Sequence, residues 1–237
     1  MALLGVIGGL GPLATAYFME LITVMTDAEK DQQHLKMVIY SDPEIPDRTD
    51  YILGKSDKSP LPGFASAGMA LQSLGCDVLA IPCITAHCFH EQIEAASGVE
   101  TLHAIRDTAL LLKQAGIKKA GLMATDGTVQ SRVFQNELEK NGIEVVLPSE
   151  SAQKDVMALI YRDIKCGRAP DMDAFFRVKS ELSANGAQAV LLGCTELSLI
   201  KRSNDTGKCI LDVMEVLARS AILKCGKPLR PEYEKLI

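Results

Sequence analysis

The feature that most constrains this chain is an internal repeat. Gly75–Cys83 reads GCDVLAIPC and Gly186–Cys194 reads GAQAVLLGC, each placing a glycine eight residues before a cysteine with an apolar run between. Upstream, Gly5, Gly11 and Phe18 recur as Gly121, Gly127 and Phe134 at an offset of 116, whereas the cysteines are offset by 111. Two similar lobes with slightly different loop lengths are expected. Short apolar runs alternate with amphipathic stretches: LLGVIGG (3–9), KMVIYSD (36–42), CDVLAIP (76–82), KKAGLMA (118–124), IEVVLPS (143–149), AQAVLLG (187–193) and CILDV (209–213). Such alternation predicts parallel strands buried between helices. The expected fold class is therefore α/β, with two pseudo-symmetric lobes, each a mainly parallel sheet flanked by helices, and an active site in the cleft between them. Residues 99–116 resemble 208–226, and each reads as a strand–helix extension crossing between lobes. The boundaries expected on this basis are 1–98 plus 207–237 for the first lobe and 99–206 for the second.

Composition narrows the function classes. The chain has 237 residues, 47% hydrophobic and 23% charged, which supports a packed globular core. The net charge is −5, and no basic block exceeds two residues, so no nucleic-acid partner is expected. The apolar N-terminus lacks a basic flank and is broken by glycines and Pro12, which reads as a buried strand and loop rather than a signal peptide. No apolar run approaches the roughly 18–20 residues of a membrane span, so no membrane partner is expected. Seven cysteines, an odd number without a secretion signal, suggest free thiols in a reducing cytoplasm.

The segment AIPCITAHCFHE (80–91) holds Cys83, His87, Cys88 and His90. As a zinc site it is unfavourable, because all four follow one strand, whereas structural sites draw two ligands from each of two knuckles. No metal is expected. A nucleophilic Cys83–His87 pair would need a third, orienting partner, and none is visible. The repeat offers a different reading. Cys83 and Cys194 each end a buried parallel strand, where ligands of such sheets bind. Two thiols aimed at one cleft from opposite sides suit removal of a proton from a carbon on one face and its return on the other. Thr85 and Thr195 follow the cysteines as expected helix caps. Buried structural cysteines are the competing reading for the pair.

These motifs resemble the aspartate/glutamate racemase family, the cofactor-independent two-cysteine racemases, and its aspartate racemase branch in particular. IPCITAH and LLGCTEL resemble the paired cysteine signature, GVIGGLGPLAT the opening, IPDRT the substrate loop, and MATDGTVQSRVF the mirror-image loop of the second lobe. The resemblance covers nearly the whole chain. It implies catalysis by Cys83 and Cys194 without a cofactor, an acidic amino acid as small-molecule substrate, and a homodimer. It also implies that Arg48 and Lys165 bind the substrate's side-chain carboxylate, Arg48 through its guanidinium fork. Where the family usually reads Cys-Asn-Thr, this chain reads Cys83-Ile84-Thr85. Isoleucine cannot replace the amide, and an unpaired buried polar group costs about 1–3 kcal/mol. That departure keeps two other readings open: a cysteine-dependent decarboxylase or cis–trans isomerase acting on a small dicarboxylate, and a non-catalytic ligand-binding relative.

Further polar groups are expected to line the site: Gly9, Thr85, Thr128, Thr195 and Glu196. GGLGPLA fits G-x-G-x-x-A after a strand, but the acidic residue of a dinucleotide site is misplaced, since Asp42 lies 31 positions after Gly11. The loop, with its altered copy ATDGT (124–128), reads instead as a source of backbone N–H donors for a carboxylate. The polar stretch 43–60 is long for a connection and reads as a functional loop. Met19, Met25, Met69 and Met123 read as core fillers. His34 and His103 show no partner in sequence.

Overall fold

Every pairing between strands is parallel. The computed structural model describes residues 2–237. In it, the first sheet comprises β1 (Leu4–Gly8), β2 (Met37–Ser41) and β3 (Val78–Ala80), in the order β2-β1-β3. The second comprises β4 (Lys119–Met123), β5 (Glu144–Val146), β6 (Ala189–Leu192) and β7 (Ile210–Asp212), in the order β5-β4-β6-β7. A parallel bridge from Leu79 to Thr101 adds the position in the first sheet that β7 fills in the second. The two sheets thus share one topology, as the repeat predicts.

Among the described residues there are eleven α-helices: α1 (Pro12–Met25), α2 (Arg48–Ile52), α3 (Leu61–Ser73), α4 (His90–Ser97), α5 (Ala104–Gln114), α6 (Asp126–Ser131), α7 (Val133–Lys140), α8 (Glu150–Met157), α9 (Met172–Ala184), α10 (Thr195–Ser203) and α11 (Val213–Lys224). Pro12 opens α1 at its first position, where no N–H is missed. Phe18, Leu21, Ile22 and Met25 then recur at helical spacing on its buried face. Met19 lies on the opposite face and is 47% exposed, and Met69 of α3 is 51% exposed, so only Met25 and Met123 fill the core as expected. Helical phase, not residue type, decides this difference. None of the helices is long and apolar enough to cross a membrane among the described residues.

Side chains alternate across the strands and so serve two layers. Leu4 and Val6 of β1, Ala120 and Leu122 of β4, and Ala189 and Leu191 of β6 enter one continuous core shared by both lobes. Residues of α1, α5 and α11 complete it, among them Phe18, Ile105, Leu112, Met214 and Leu217. The outward faces have their own covers. Ile7 and Leu79 pack with Phe64 and Leu71 of α3, while Met123, Val190 and Leu192 pack with Phe175 and Leu182 of α9.

The expected lobe boundaries need correcting. Thr101 bridges to the first sheet, although 99–206 was assigned to the second lobe. Ile210–Asp212 pairs with β6 in the second sheet, although 207–237 was assigned to the first. The crossing happens one element later: α5 leaves the first sheet to pack on α7, and α11 leaves the second to pack on α1. Strand pairing therefore holds each boundary segment to its own sheet, and the following helix makes the crossover.

Asp212 ends β7 inside this core. It is fully buried, and its Oδ1 accepts from Ser198 Oγ at 2.7 Å and from the Met214 N–H at 2.9 Å, which caps α11. Its Oδ2 has no partner. Burial first, and the Glu215 charge second, push its pKa from 3.8 up to about 7. A carboxyl raised in the folded state stabilises the fold below its unfolded pKa, and that contribution is lost as pH rises towards 7. Asp212→Asn, which keeps the cap, should therefore be more stable than the parent at pH 8, by on the order of 2–4 kcal/mol. The gain should shrink at pH 4. Urea unfolding of both proteins at the two pH values checks it.

Candidate active site

The carboxyl ends of the two sheets face one cleft, and each contributes a cysteine just beyond a strand. Cys83 follows β3 by three residues and is extended (φ −150°, ψ 103°), heading a 3-10 turn over Ile84–Phe89. Cys194 follows β6 by two and is likewise extended (φ −142°, ψ 135°), heading α10. The cysteines themselves thus occupy the cap positions expected of Thr85 and Thr195. Both thiols are buried and line one inner cavity. A wider vestibule adjoins it, sharing Leu10, Asp47, Arg48, Lys165 and Glu196.

The two thiols have opposite electrostatic partners. Cys194 Sγ donates to Glu196 Oε2 at 2.9 Å. Burial and then the Glu196 charge push its pKa well above the usual thiol value, against the Glu196 N–H and Lys165. Cys83 sits beside the Arg48 guanidinium. Burial disfavours the Arg48 charge, yet its neighbours Cys83 and Asp47 outweigh it and raise the pKa.

Arg48 is 7% exposed, and its fork is already engaged. Nη1 donates to the Ile45 and Pro46 carbonyls at 3.2 and 3.1 Å, and Nη2 donates to the Leu10 carbonyl at 3.0 Å. Only Nε lacks a partner. The expected two-pronged grip on a substrate carboxylate is thus replaced by a clamp that ties the 45–48 loop to the β1–α1 loop. The stretch 43–60 is not all loop either, since α2 lies within it.

Lys165 reaches the cavity from the second lobe, four residues after Tyr161. A π-helical turn over Ala158–Asp163 leads into a 3-10 turn over Ile164–Cys166 and sets both side chains there. Lys165 Nζ lies 4.5 Å from the centroid of the Tyr161 ring and 3.5 Å from Asp47 Oδ2. Burial works against the Lys165 charge, but Glu196, Tyr161, Cys194 and Asp47 together raise its pKa, so it stays cationic. Burial pushes the Tyr161 phenol up to about 12, which keeps it a hydrogen-bond donor.

The other expected residues divide. Thr85 and Thr195 line the inner cavity, but both hydroxyls are committed. Thr195 Oγ1 donates to Glu196 Oε2 at 3.3 Å. Thr85 shares contacts of 3.1 and 3.0 Å with the hydroxyls of Thr125 and Thr128, which joins the lobes behind the site. Thr128 is fully buried and lies outside the cavity lining, whereas Thr125 is in it. Gly9 lines the vestibule, but its N–H donates to Thr15 Oγ1 at 2.9 Å and is not free for a carboxylate. Gly9 is needed for its backbone: φ is +89°, and a Cβ would lie 2.5 Å from the Asp42 main chain. In the mirror loop, a Cβ on Gly127 would lie 2.9 Å from Thr49 Cα, so that glycine lets α6 approach α2 across the cleft. Ile84 lines the cavity and joins the shared apolar core, bringing no polar atom to the site.

Asp47, Thr49, Thr125 and Tyr161 also line the cavity and were not singled out from sequence. Asp47 stood inside IPDRT, and the Tyr161–Lys165 spacing of four is a one-turn helical spacing, which was the available signal. The histidines near Cys83 form a separate group. His87, His90 and His103 pack with ring centroids 4.5–6.2 Å apart, and His103 Nδ1 accepts from the Arg106 N–H to cap α5. His103 therefore does have partners. Among the described residues, no three His, Cys, Asp or Glu side chains are placed to share a metal ion.

The Asp/Glu/hydantoin racemase family matches residues 7–221. The chain is 26% identical over 224 residues to the broad specificity amino-acid racemase RacX of Bacillus subtilis strain 168, spanning 93% of this chain and 96% of that protein. The structure of Picrophilus torridus aspartate racemase superposes with a TM-score of 0.89 at 34% identity, over 100% of this chain and 99% of that one. A glutamate racemase from Francisella tularensis, solved with D-glutamate, shares the fold at a TM-score of 0.66 and 17% identity, over 94% of this chain and 81% of that one.

The Glu196 contact makes a direct prediction. In a Cys83→Ala background, Glu196→Gln should move the alkylation profile of Cys194 to lower pH, while burial keeps it above that of an ordinary thiol. Mass spectrometry resolves Cys194 from the other thiols. An unmoved profile would show that Glu196 does not hold the proton there.

Proposed function

The chain belongs to the Asp/Glu/hydantoin racemase family, and from that premise we propose a cofactor-independent amino-acid racemase whose acid–base pair is Cys83 and Cys194. One observation carries the reading: two buried cysteines, one from each sheet, line a single cavity at the sheets' carboxyl ends. Proton removal by one and return by the other would invert Cα. The unequal partners suggest the starting state. A cation stands beside Cys83 and a carboxylate accepts from Cys194, so Cys83 takes the first proton and Cys194 gives its own. Glu196 is then a positioning residue that holds the donor thiol protonated. The opposite enantiomer runs the sequence in reverse.

The α-C–H of an amino acid is a very weak acid, so the carbanion needs charge stabilisation inside a dry site. Arg48 and Lys165 are the cations that line the cavity, and Arg48 Nε has no protein partner among the described residues. Aspartate is the proposed substrate. Lys165 suits its side-chain carboxylate, and one structural relative that spans the whole chain is an aspartate racemase. Glutamate is a longer alternative with the same charge. Seven free thiols suit a reducing compartment, and the family resemblance implies a pair of subunits, so the reading includes a cytoplasmic homodimer.

The test is exchange of the Cα proton in deuterated water. D- and L-aspartate should both exchange with the parent protein, and racemisation should fall at least a thousandfold in Cys83→Ala and in Cys194→Ala. Each variant should retain its ligand binding. Absence of exchange across acidic and neutral amino acids would sink the proposal.

A further inference from the structure

The cation intended for the substrate's side chain is not free in this structure. Asp47 crosses the cleft from the first lobe to the two side chains that the π-helical turn presents from the second. Its Oδ2 lies 3.5 Å from Lys165 Nζ, and each of its oxygens lies 3.4 Å from Tyr161 Oη. These are the donors that would meet a substrate carboxylate. The distances are longer than the roughly 2.7–2.9 Å of a tight charged hydrogen bond, so the contact is loose. The inner cavity it borders has room for about one water molecule. A second carboxylate cannot join Asp47 on the same ammonium without like-charge repulsion.

We propose that Asp47 is an internal stand-in for the substrate's side-chain carboxylate, holding Lys165 and Tyr161 across the cleft and yielding them to an acidic ligand. The inference rests on the acidic substrate proposed above and adds a positioning residue to that site. Asp47 has a second role that survives displacement, because its Oδ1 accepts from the Asp50 N–H at 3.0 Å and caps α2. Binding of a dicarboxylate is then an exchange of one ion pair for another. The exchange supplies a reason for the cleft to open to acidic ligands, since they replace the anion they remove. It also holds affinity below what a free lysine would give.

Removing the Asp47 charge turns the exchange into formation of a new pair. Asp47→Asn is suited to this, because asparagine caps helices as well as aspartate does. Succinate, a dicarboxylate without a reactive α-amino group, is the probe, titrated by calorimetry. Asp50→Asn serves as the control, since it removes the same charge from an exposed position one turn away. Succinate should bind Asp47→Asn about tenfold more tightly than the parent, and Asp50→Asn within twofold of it. Asp47→Ser, which also keeps a capping oxygen, should follow Asp47→Asn. For aspartate racemisation, KM should fall in Asp47→Asn with kcat changed less. Equal or weaker succinate binding in both Asp47 variants overturns the proposal, as does an equal gain in Asp50→Asn. A parent protein that binds succinate but racemises nothing would remove the racemase reading alone, and the succinate comparison would still decide the role of Asp47.

Discussion

The shared apolar layer between the sheets is the constraint on which the site depends. The inner faces of β1, β3, β4 and β6 bury their side chains against α1, α5 and α11, in one core rather than two. Because interiors are packed to crystal-like density, this layer leaves little freedom in how the sheets sit relative to each other. The position of each cysteine relative to its sheet is fixed by the strand that precedes it. The arrangement of the two thiols is therefore a property of the core, and the crossing helices α5 and α11 make it so by taking each lobe's chain to the other side.

Upon this near-symmetric frame the chain places unlike charges. The same position in each repeat holds a cysteine, but Cys83 meets a guanidinium and Cys194 meets a carboxylate. A two-base proton transfer needs this inequality at any instant, because one group must be empty while the other is full. Thiols suit the task, since the ordinary pKa of about 8.5 is within reach of shifts in either direction. On the proposed mechanism, scaffold symmetry supplies the two faces, and the side chains supply the difference between acid and base.

The architecture was legible in the sequence because repetition and apolar run length report on burial directly. All seven strands lie within the runs that signalled them, although CDVLAIP yields only Val78–Ala80. The site was legible in its residue types and less so in their partners. Arg48 lines the cavity, but its fork is occupied by three main-chain carbonyls, a fact that depends on how two loops meet. The threonines fail as helix caps because the cysteines hold that position, and Gly9 fails as a donor because Thr15 lies within reach. Tyr161 and Asp47 were hidden for a related reason. A π-helical turn has no periodic signature, and an acidic side chain one position from an arginine reads as its ion-pair partner rather than as that of a lysine over a hundred residues away.

Ile84 takes on a different meaning in this setting. In sequence it stood as the loss of an amide beside the first cysteine. In the fold its side chain belongs to the layer between the lobes, while it also forms part of the cavity wall. It therefore anchors the Cys83 turn to the part of the molecule that fixes the distance between the thiols. An apolar wall beside a reacting carbon also keeps the local dielectric low, which strengthens every charge interaction across the cleft. On the proposed reading, the lost hydrogen bond falls on the substrate's α-substituents, and the remaining cationic contacts would carry more of the binding. That requirement makes the hold on Lys165 consequential to the proposal: with fewer polar contacts at Cα, discrimination would shift toward the side-chain end of the substrate, where Asp47 contacts Lys165.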